Sequence, residues 1–198
     1  FKAWAHGYPF HTVRWHFHPE YELHLVAATT GHVFVGDFIG EFEPGNLILT
    51  GPNLPHNWIS DVPEGQSVPL RSRIVQFSEA FIGDAMRALP ELAALAGVLE
   101  VSRRGALFSP ATAALVAPLL EELCAAHGVR RIELFMGVAG ALSRAADVRS
   151  LASASYLPDP SGFMSAGVNE ALAYINCHLT EPFDESDLAA IAGRSPSA

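Results

Sequence analysis

Turn signals recur through the first 77 residues at intervals too short for helices. Thr29-Thr30-Gly31, Gly36-Asp37, Pro44-Gly45-Asn46, Gly51-Pro52-Asn53 and Asp61-Val62-Pro63-Glu64-Gly65 break up the chain. The runs between them are roughly four to eight residues long, the length of strands. Val, Ile, Leu, Phe and Trp fill these runs, often in alternation with polar residues, which suits a pleated surface. Strands are expected at 13–18, 22–28, 32–35, 39–42, 47–50, 56–59 and 70–77. Many short strands with regular Gly and Pro punctuation predict a small barrel or a double-sheet jelly roll.

The composition changes near residue 78, where Ala, Leu, Glu and Arg take over in longer patterns. Ser78 is placed to cap a helix over about 79–89, and Pro90 opens another turn. Residues 97–108 read as extended, with a turn at Arg103-Arg104-Gly105. Ser109-Pro110 starts a helix that runs to about 126, Gly128 stops it, and Pro118 is expected to kink it. A further helix over about 130–146 completes a candidate helical hairpin. Its apolar stripe comprises Leu115, Leu119, Leu123, Ile132, Phe135, Val138 and Leu142. Residues 150–167, rich in Ser, Pro, Gly and Asp, read as a linker. Helices follow over 168–179 and 184–192, Gly193 stops the second, and Ser195-Pro196 begins a third. The fold class is therefore α+β, in four parts: a barrel over 1–77, a helical region over 78–149, the linker 150–167, and 168–198.

Composition removes several classes. With 49% apolar residues the chain can bury a core, so global disorder is excluded. A formal net charge of −9 leaves this chain poorly suited to phosphate contacts. No run of eighteen apolar residues exists, which argues against a membrane span. Cys124 and Cys177 lie in Ala-rich helical stretches and read as reduced thiols. No leader is visible, so a cytoplasmic location is expected. P-loop, nucleophile-elbow and dinucleotide patterns are absent.

Seven of the nine histidines, at 6, 11, 16, 18, 24, 32 and 56, fall in the strand-rich part. The densest segment is His16-Phe17-His18-Pro19-Glu20-Tyr21-Glu22. Histidines at i and i+2 of a strand share a face, and Glu22 can return to the same cavity on the next strand. His56, after the turn Gly51-Pro52-Asn53-Leu54-Pro55, supplies a fourth donor. His16, His18, Glu22 and His56 are thus candidate ligands for one divalent metal, Zn, Ni, Fe or Mn. The same side chains, with His24, can instead form a hydrogen-bonding wall around a small molecule. His24 and His32 can face the same lumen but read first as satisfied strand histidines, and His6 and His11 as surface or lid residues. Trp15, Phe17, Phe34 and Trp58 read as core.

The spacing of His16, His18 and Glu22 resembles the first motif of the cupin superfamily, and Gly40, Pro44, Gly45 and His56 its second. At the other end, 168–179, Pro182-Phe183, 184–192 and Ala192-Gly193-Arg194-Ser195-Pro196 give helix, turn and helix start, as a helix-turn-helix requires. Taken with Phe42-Glu43-Pro44-Gly45-Asn46-Leu47 and Leu188-Ala189-Ala190-Ile191-Ala192-Gly193, these segments resemble the AraC/XylS family of transcription regulators. That resemblance implies a cupin-like sensor for a small-molecule effector and a helical region that makes a homodimer. It also implies the start of a DNA-binding domain, in which Ser195 and Ser197 would approach DNA. Such a protein is no enzyme. The alternative is a metal-dependent cupin enzyme, an isomerase or dioxygenase.

Overall fold

The computed structural model describes residues 1–10, 15–156, 167, 170–171, 174 and 184–193. The chain divides into two compact units, Phe1–Tyr156 and Leu157–Ala198. In the first unit the elements are β1 (Lys2–Tyr8), β2 (Glu20–Val26), β3 (Gly31–Val35), β4 (Phe38–Phe42), β5 (Leu47–Thr50), β6 (His56–Ser60) and β7 (Val68–Ser78). After these come α1 (Glu79–Ala88), a 3-10 segment at Pro90–Leu95, α2 (Ala96–Ser102), β8 (Ala106–Leu107), α3 (Pro110–Ala125), α4 (Gly128–Ser143) and β9 (Arg149–Ser150). All strand pairs are antiparallel, in a six-stranded sheet ordered β1-β7-β2-β5-β8-β9 and a three-stranded sheet ordered β4-β3-β6. This is the expected α+β, cupin-like architecture.

Strand alternation explains how one sheet serves two cores. On β2, Tyr21, Leu23 and Leu25 join Leu47, Leu49, Val75 and Phe77 on the helical side. There they pack against Val116, Leu120 and Leu123 of α3 and Leu134, Phe135, Val138 and Leu142 of α4. Val26 and Ile48 point the other way, meeting Val33, Val35, Phe42 and Trp58 of the smaller sheet. Because both faces of β2 and β5 are covered, these strands are buried almost throughout.

Local chemistry fixes the helices. Ser78 accepts from Phe81 N at 3.1 Å and Ser109 from Thr112 N at 3.3 Å, each satisfying an N–H that the first turn leaves unpaired. Pro118 lies within α3, which is continuous from Pro110 to Ala125. Arg130 of α4 donates to both oxygens of Glu122 on α3, each at 2.7 Å, in an exposed bidentate pair across the hairpin. In the second unit, Glu185–Ile191 is helical, with Asp184 as its cap and Gly193 at φ +63° beyond its end. The expected helix over 168–179 lies largely outside the described residues, as does Cys177. No helix among the described residues is long and apolar enough to cross a membrane.

Four expectations are corrected. Lys2–Tyr8 is a strand that the turn pattern did not mark. Residues 15–19 join no strand; His16 makes one isolated bridge, to His56. Residues 97–102, read as extended, belong to α2, whose buried Val98 and Leu99 pack on the helical core. The hairpin's apolar stripe divides: Leu123, Phe135, Val138 and Leu142 are buried, whereas Leu115 and Ile132 are 67% and 52% exposed.

That division sets an expected contrast in stability. Leu120→Ala, at a fully buried position of α3, is expected to lower the unfolding free energy by about 2–5 kcal/mol. Leu115→Ala should change it by no more than about 0.5 kcal/mol. Urea denaturation of both variants, followed by circular dichroism, checks this.

Candidate functional site

Between the two sheets lies a cavity of about 420 Å³. Alternation delivers its lining: Lys2, Trp4 and His6 from β1, Glu22 and His24 from β2, and Ile74 and Gln76 from β7. The register sets them side by side, with Lys2 and Glu22 both opposite Gln76, and Trp4 and His24 both opposite Ile74. Asn57 and Trp58 of β6, Arg71, Phe10, His16 and His18 complete the wall.

The backbone brings the histidines together. His16 and His56 exchange N–H···O bonds at 3.3 and 2.9 Å, and His18 O accepts from Asn53 N at 2.8 Å. The segment 16–18 is thereby held beside 53–56, with the His16 and His56 rings 4.5 Å apart and those of His18 and His56 5.1 Å apart. One ligand atom from each of His16, His18 and His56 lies within 4.8 Å of the other two.

Glu22 is the hub. Its carboxylate is buried and accepts from His18 Nε2 at 3.2 Å, His24 Nδ1 at 3.3 Å and Gln76 Nε2 at 2.8 Å; His56 Nε2 lies 3.8 Å away. Burial alone would raise its pKa, but the hydrogen bonds from His18 and His24 hold it well below the ordinary carboxylate value. His18 moves upward: burial opposes the charge, and Glu22 and Glu20 outweigh burial. His24 is driven down to about 4 and His56 to about 3, in both cases by burial, so each ring is neutral near pH 7.

Neutral rings have definite tautomers, and the partners define them. The Arg71 guanidinium can only donate, and its Nε donates to Ser72 Oγ at 3.0 Å. Ser72 Oγ lies 2.8 Å from His24 Nε2. With Glu22 ionised, His24 must carry its proton on Nδ1, so the relay runs Arg71 to Ser72 to His24 to Glu22. His24 also stacks on Trp58, with ring centres 3.9 Å apart. In His56, Nδ1 donates to Leu54 O at 2.7 Å, which leaves a lone pair on Nε2. That nitrogen is buried and has no hydrogen-bond partner among the described residues, and the indole Nε1 of Trp58 is likewise unpaired.

His16, His18, Glu22, His24 and His56 are therefore assembled in one region, although Glu22 lies outside the three-histidine group and is engaged by its hydrogen-bond donors. His6, read as a surface or lid residue, lines the cavity, while His32 is exposed and His11 lies outside the described residues. Trp15, expected in the core, is 46% exposed because no strand carries it inward. Phe17 and Phe34 are half-buried, and Trp58, read as core, lines the cavity as well. Ser195 and Ser197 lie outside the described residues. Sequence reasoning missed Lys2, Trp4, Phe10, Asn57, Arg71, Ser72 and Gln76. One signal was present: Ser72 and Gln76 are polar positions in phase on β7, either side of Ile74.

Two antiparallel sheets enclose this lumen, and the helical hairpin backs the larger one. Residues 4–134 match the family described as the AraC-like ligand binding domain. That span is well over half of the chain, and the chain belongs to this family. Solved structures with a similar course include the AraC-like transcriptional activator CuxR, at 15% identity and TM-score 0.46, covering 98% of this chain and 64% of that one. Another is unsaturated-fatty-acid-bound ToxT from Vibrio cholerae, at 10% identity and TM-score 0.44, covering 98% and 66% respectively. The chain thus spans about two thirds of those proteins. No curated relative matches the sequence at a significant level.

Removing the hub's charge while keeping its shape should be severe. Glu22→Gln presents an amide to donors that need a carboxylate, and an expected loss of about 3–5 kcal/mol follows from breaking a buried charged network. Chemical denaturation at pH 7 checks this, and a loss below about 1 kcal/mol would show that Glu22 is not the hub.

Proposed function

We propose that this chain is the effector-sensing part of an AraC-type transcription regulator, and that it acts by binding rather than by catalysis. The observation that carries this reading is the lumen: a cavity with aromatic walls and convergent polar groups, in a chain of the AraC-like ligand-binding family. An effector held there would favour one arrangement of barrel and helices over another, to the extent of its difference in affinity for the two. On this reading the segment from 168 onward begins the DNA-binding domain, with Ser195 and Ser197 on its DNA side; of the segment 150–167 read as a linker, residues 150–156 belong to the first unit, where Leu151 and Ala152 are buried. The helical region carries the homodimer contact, and the protein works in the cytoplasm.

We further propose a divalent metal, Zn, Ni, Fe or Mn, held by His16, His18 and His56. The supporting observation is His56, whose Nδ1–H is spent on Leu54 O while the buried Nε2 lone pair has no partner. This is how a histidine ligand is oriented by a second hydrogen bond. Glu22 would then neutralise and orient the group rather than complete it. When bound, such a metal supplies a Lewis-acidic point for an oxygen atom of the effector.

Two measurements test these readings. Metal content of protein purified without a histidine tag is expected to be near stoichiometric, and to fall at least tenfold in His16→Ala and His56→Ala. Unchanged content in both variants removes the metal. For the dimer, light scattering after size exclusion should give twice the chain mass, and Leu115→Arg with Ile132→Glu should halve it. A monomer for the unaltered chain at high micromolar concentration contradicts the dimer contact.

A further inference from the structure

The alternation that turns Ser72, Ile74 and Gln76 into the lumen should turn Arg71 to the opposite face. It does not, because the pairing of β1 with β7 is broken at this point. His6 pairs with Ser72, but Tyr8 pairs with Val68, so Gly7 alone stands opposite residues 69–71. Irregularities of this kind re-aim side chains. Glycine is required for the close approach, since a Cβ at position 7 would lie 2.3 Å from Val68 O. As a result Arg71 and Ser72 both serve the lumen side, and Arg71 is only 2% exposed.

The partners of this guanidinium are all neutral. Nε donates to Ser72 Oγ, and Nη1 donates to Trp58 O at 3.0 Å and Ser60 Oγ at 3.3 Å; the Tyr8 ring lies 5.5 Å from Cζ. No described carboxylate forms an ion pair with Arg71, and no described residue accepts from Nη2. The lumen's own carboxylate, Glu22, is engaged by His18, His24 and Gln76 and reaches Arg71 only through His24 and Ser72. Glu22 acts on this buried cation at a distance but gives it no oxygen to bond, and an anion on Nη2 would supply one through a charge-assisted hydrogen bond. Lys2 adds a second positive group to the lining, while Trp4, Phe10 and Trp58 supply flat apolar walls.

We infer that the lumen takes a small aromatic carboxylate, with its carboxylate on Arg71 Nη2 and its ring among Trp4, Phe10 and Trp58. This rests on the reading of the lumen as an effector site, and names the chemistry of the effector. A volume of about 420 Å³ is at the lower end of small-molecule pockets, which suits one ring with a short acid arm.

The test uses the whole chain, dialysed against EDTA so that a metal cannot hold the acid. Thermal melts and calorimetric titrations are run with benzoate, phenylacetate and 3-phenylpropionate, each beside its neutral amide. At least one acid is expected to raise the melting temperature with concentration and to bind about tenfold or more tightly than its amide. Arg71→Gln should reduce the acid to the level of the amide. Trp4→Ala, at a half-buried position, should weaken acid and amide alike. The comparison of acid with amide on the unaltered chain stands even if Arg71→Gln fails to fold. Equal binding of acid and amide overturns the anion while leaving the lumen as an effector site. A preference for the acid that persists in Arg71→Gln assigns the anion to the histidines and overturns the inference, as does silence from all three acids. Acid binding indifferent to both Arg71→Gln and Trp4→Ala lies outside the lumen and removes the effector-site reading as well.

Discussion

A single ionised carboxylate enclosed between two sheets is the constraint round which this molecule is arranged. Glu22 has given up water, and its desolvation is tolerable only because donors converge on it from three directions. Those donors come from distant parts of the sequence: His18 from an irregular segment, His24 from the same strand, and Gln76 from β7. Satisfying the carboxylate therefore specifies the register of β2 on β7 and the path of the chain before β2. A slip of one residue would send Glu22 and His24 into the helical core and Leu23 into the lumen.

The two faces of β2 divide the labour. Tyr21, Leu23 and Leu25 bind the sheet to the helices, whereas Glu22 and His24 build the lumen. A change in the lumen is therefore one residue away from a change in the sheet's grip on α3 and α4. The relay from Arg71 through Ser72 and His24 to Glu22 ties β7 to β2 within that wall, and the bonds from Arg71 to Trp58 O and Ser60 Oγ tie it to the opposite sheet. The lumen thus couples both sheets through hydrogen bonds.

Much of this was legible in the residues. Turn chemistry at Thr29-Thr30-Gly31, Pro44-Gly45-Asn46 and Gly51-Pro52-Asn53 marked the strands, and Ser78 and Ser109 marked the helix starts. The histidines at 16, 18, 24 and 56 with Glu22 announced a polar centre. What the sequence concealed has physical causes. The bridge between His16 and His56 is a tertiary pairing across forty residues and leaves no periodic trace. Arg71 was hidden because it breaks strand alternation, through an irregularity that depends on Gly7 in a strand far away. Trp15 looked like a core residue by type, but no ladder carries it inward. Leu115 and Ile132 shared a period with buried neighbours, and only packing on the sheet separated the two sides of the stripe.

The protonation pattern of the imidazoles tests the central claim most directly. Long-range proton–nitrogen correlation spectra of the EDTA-treated protein, labelled at histidine, report charge and tautomer ring by ring. At pH 7 the expected result is neutral His24 and His56, each with its proton fixed on Nδ1, and both remaining neutral as the pH is lowered through 6. Averaged tautomers that titrate near the ordinary value of 6.5 would mean that these rings face solvent, and that no enclosed, carboxylate-centred lumen exists.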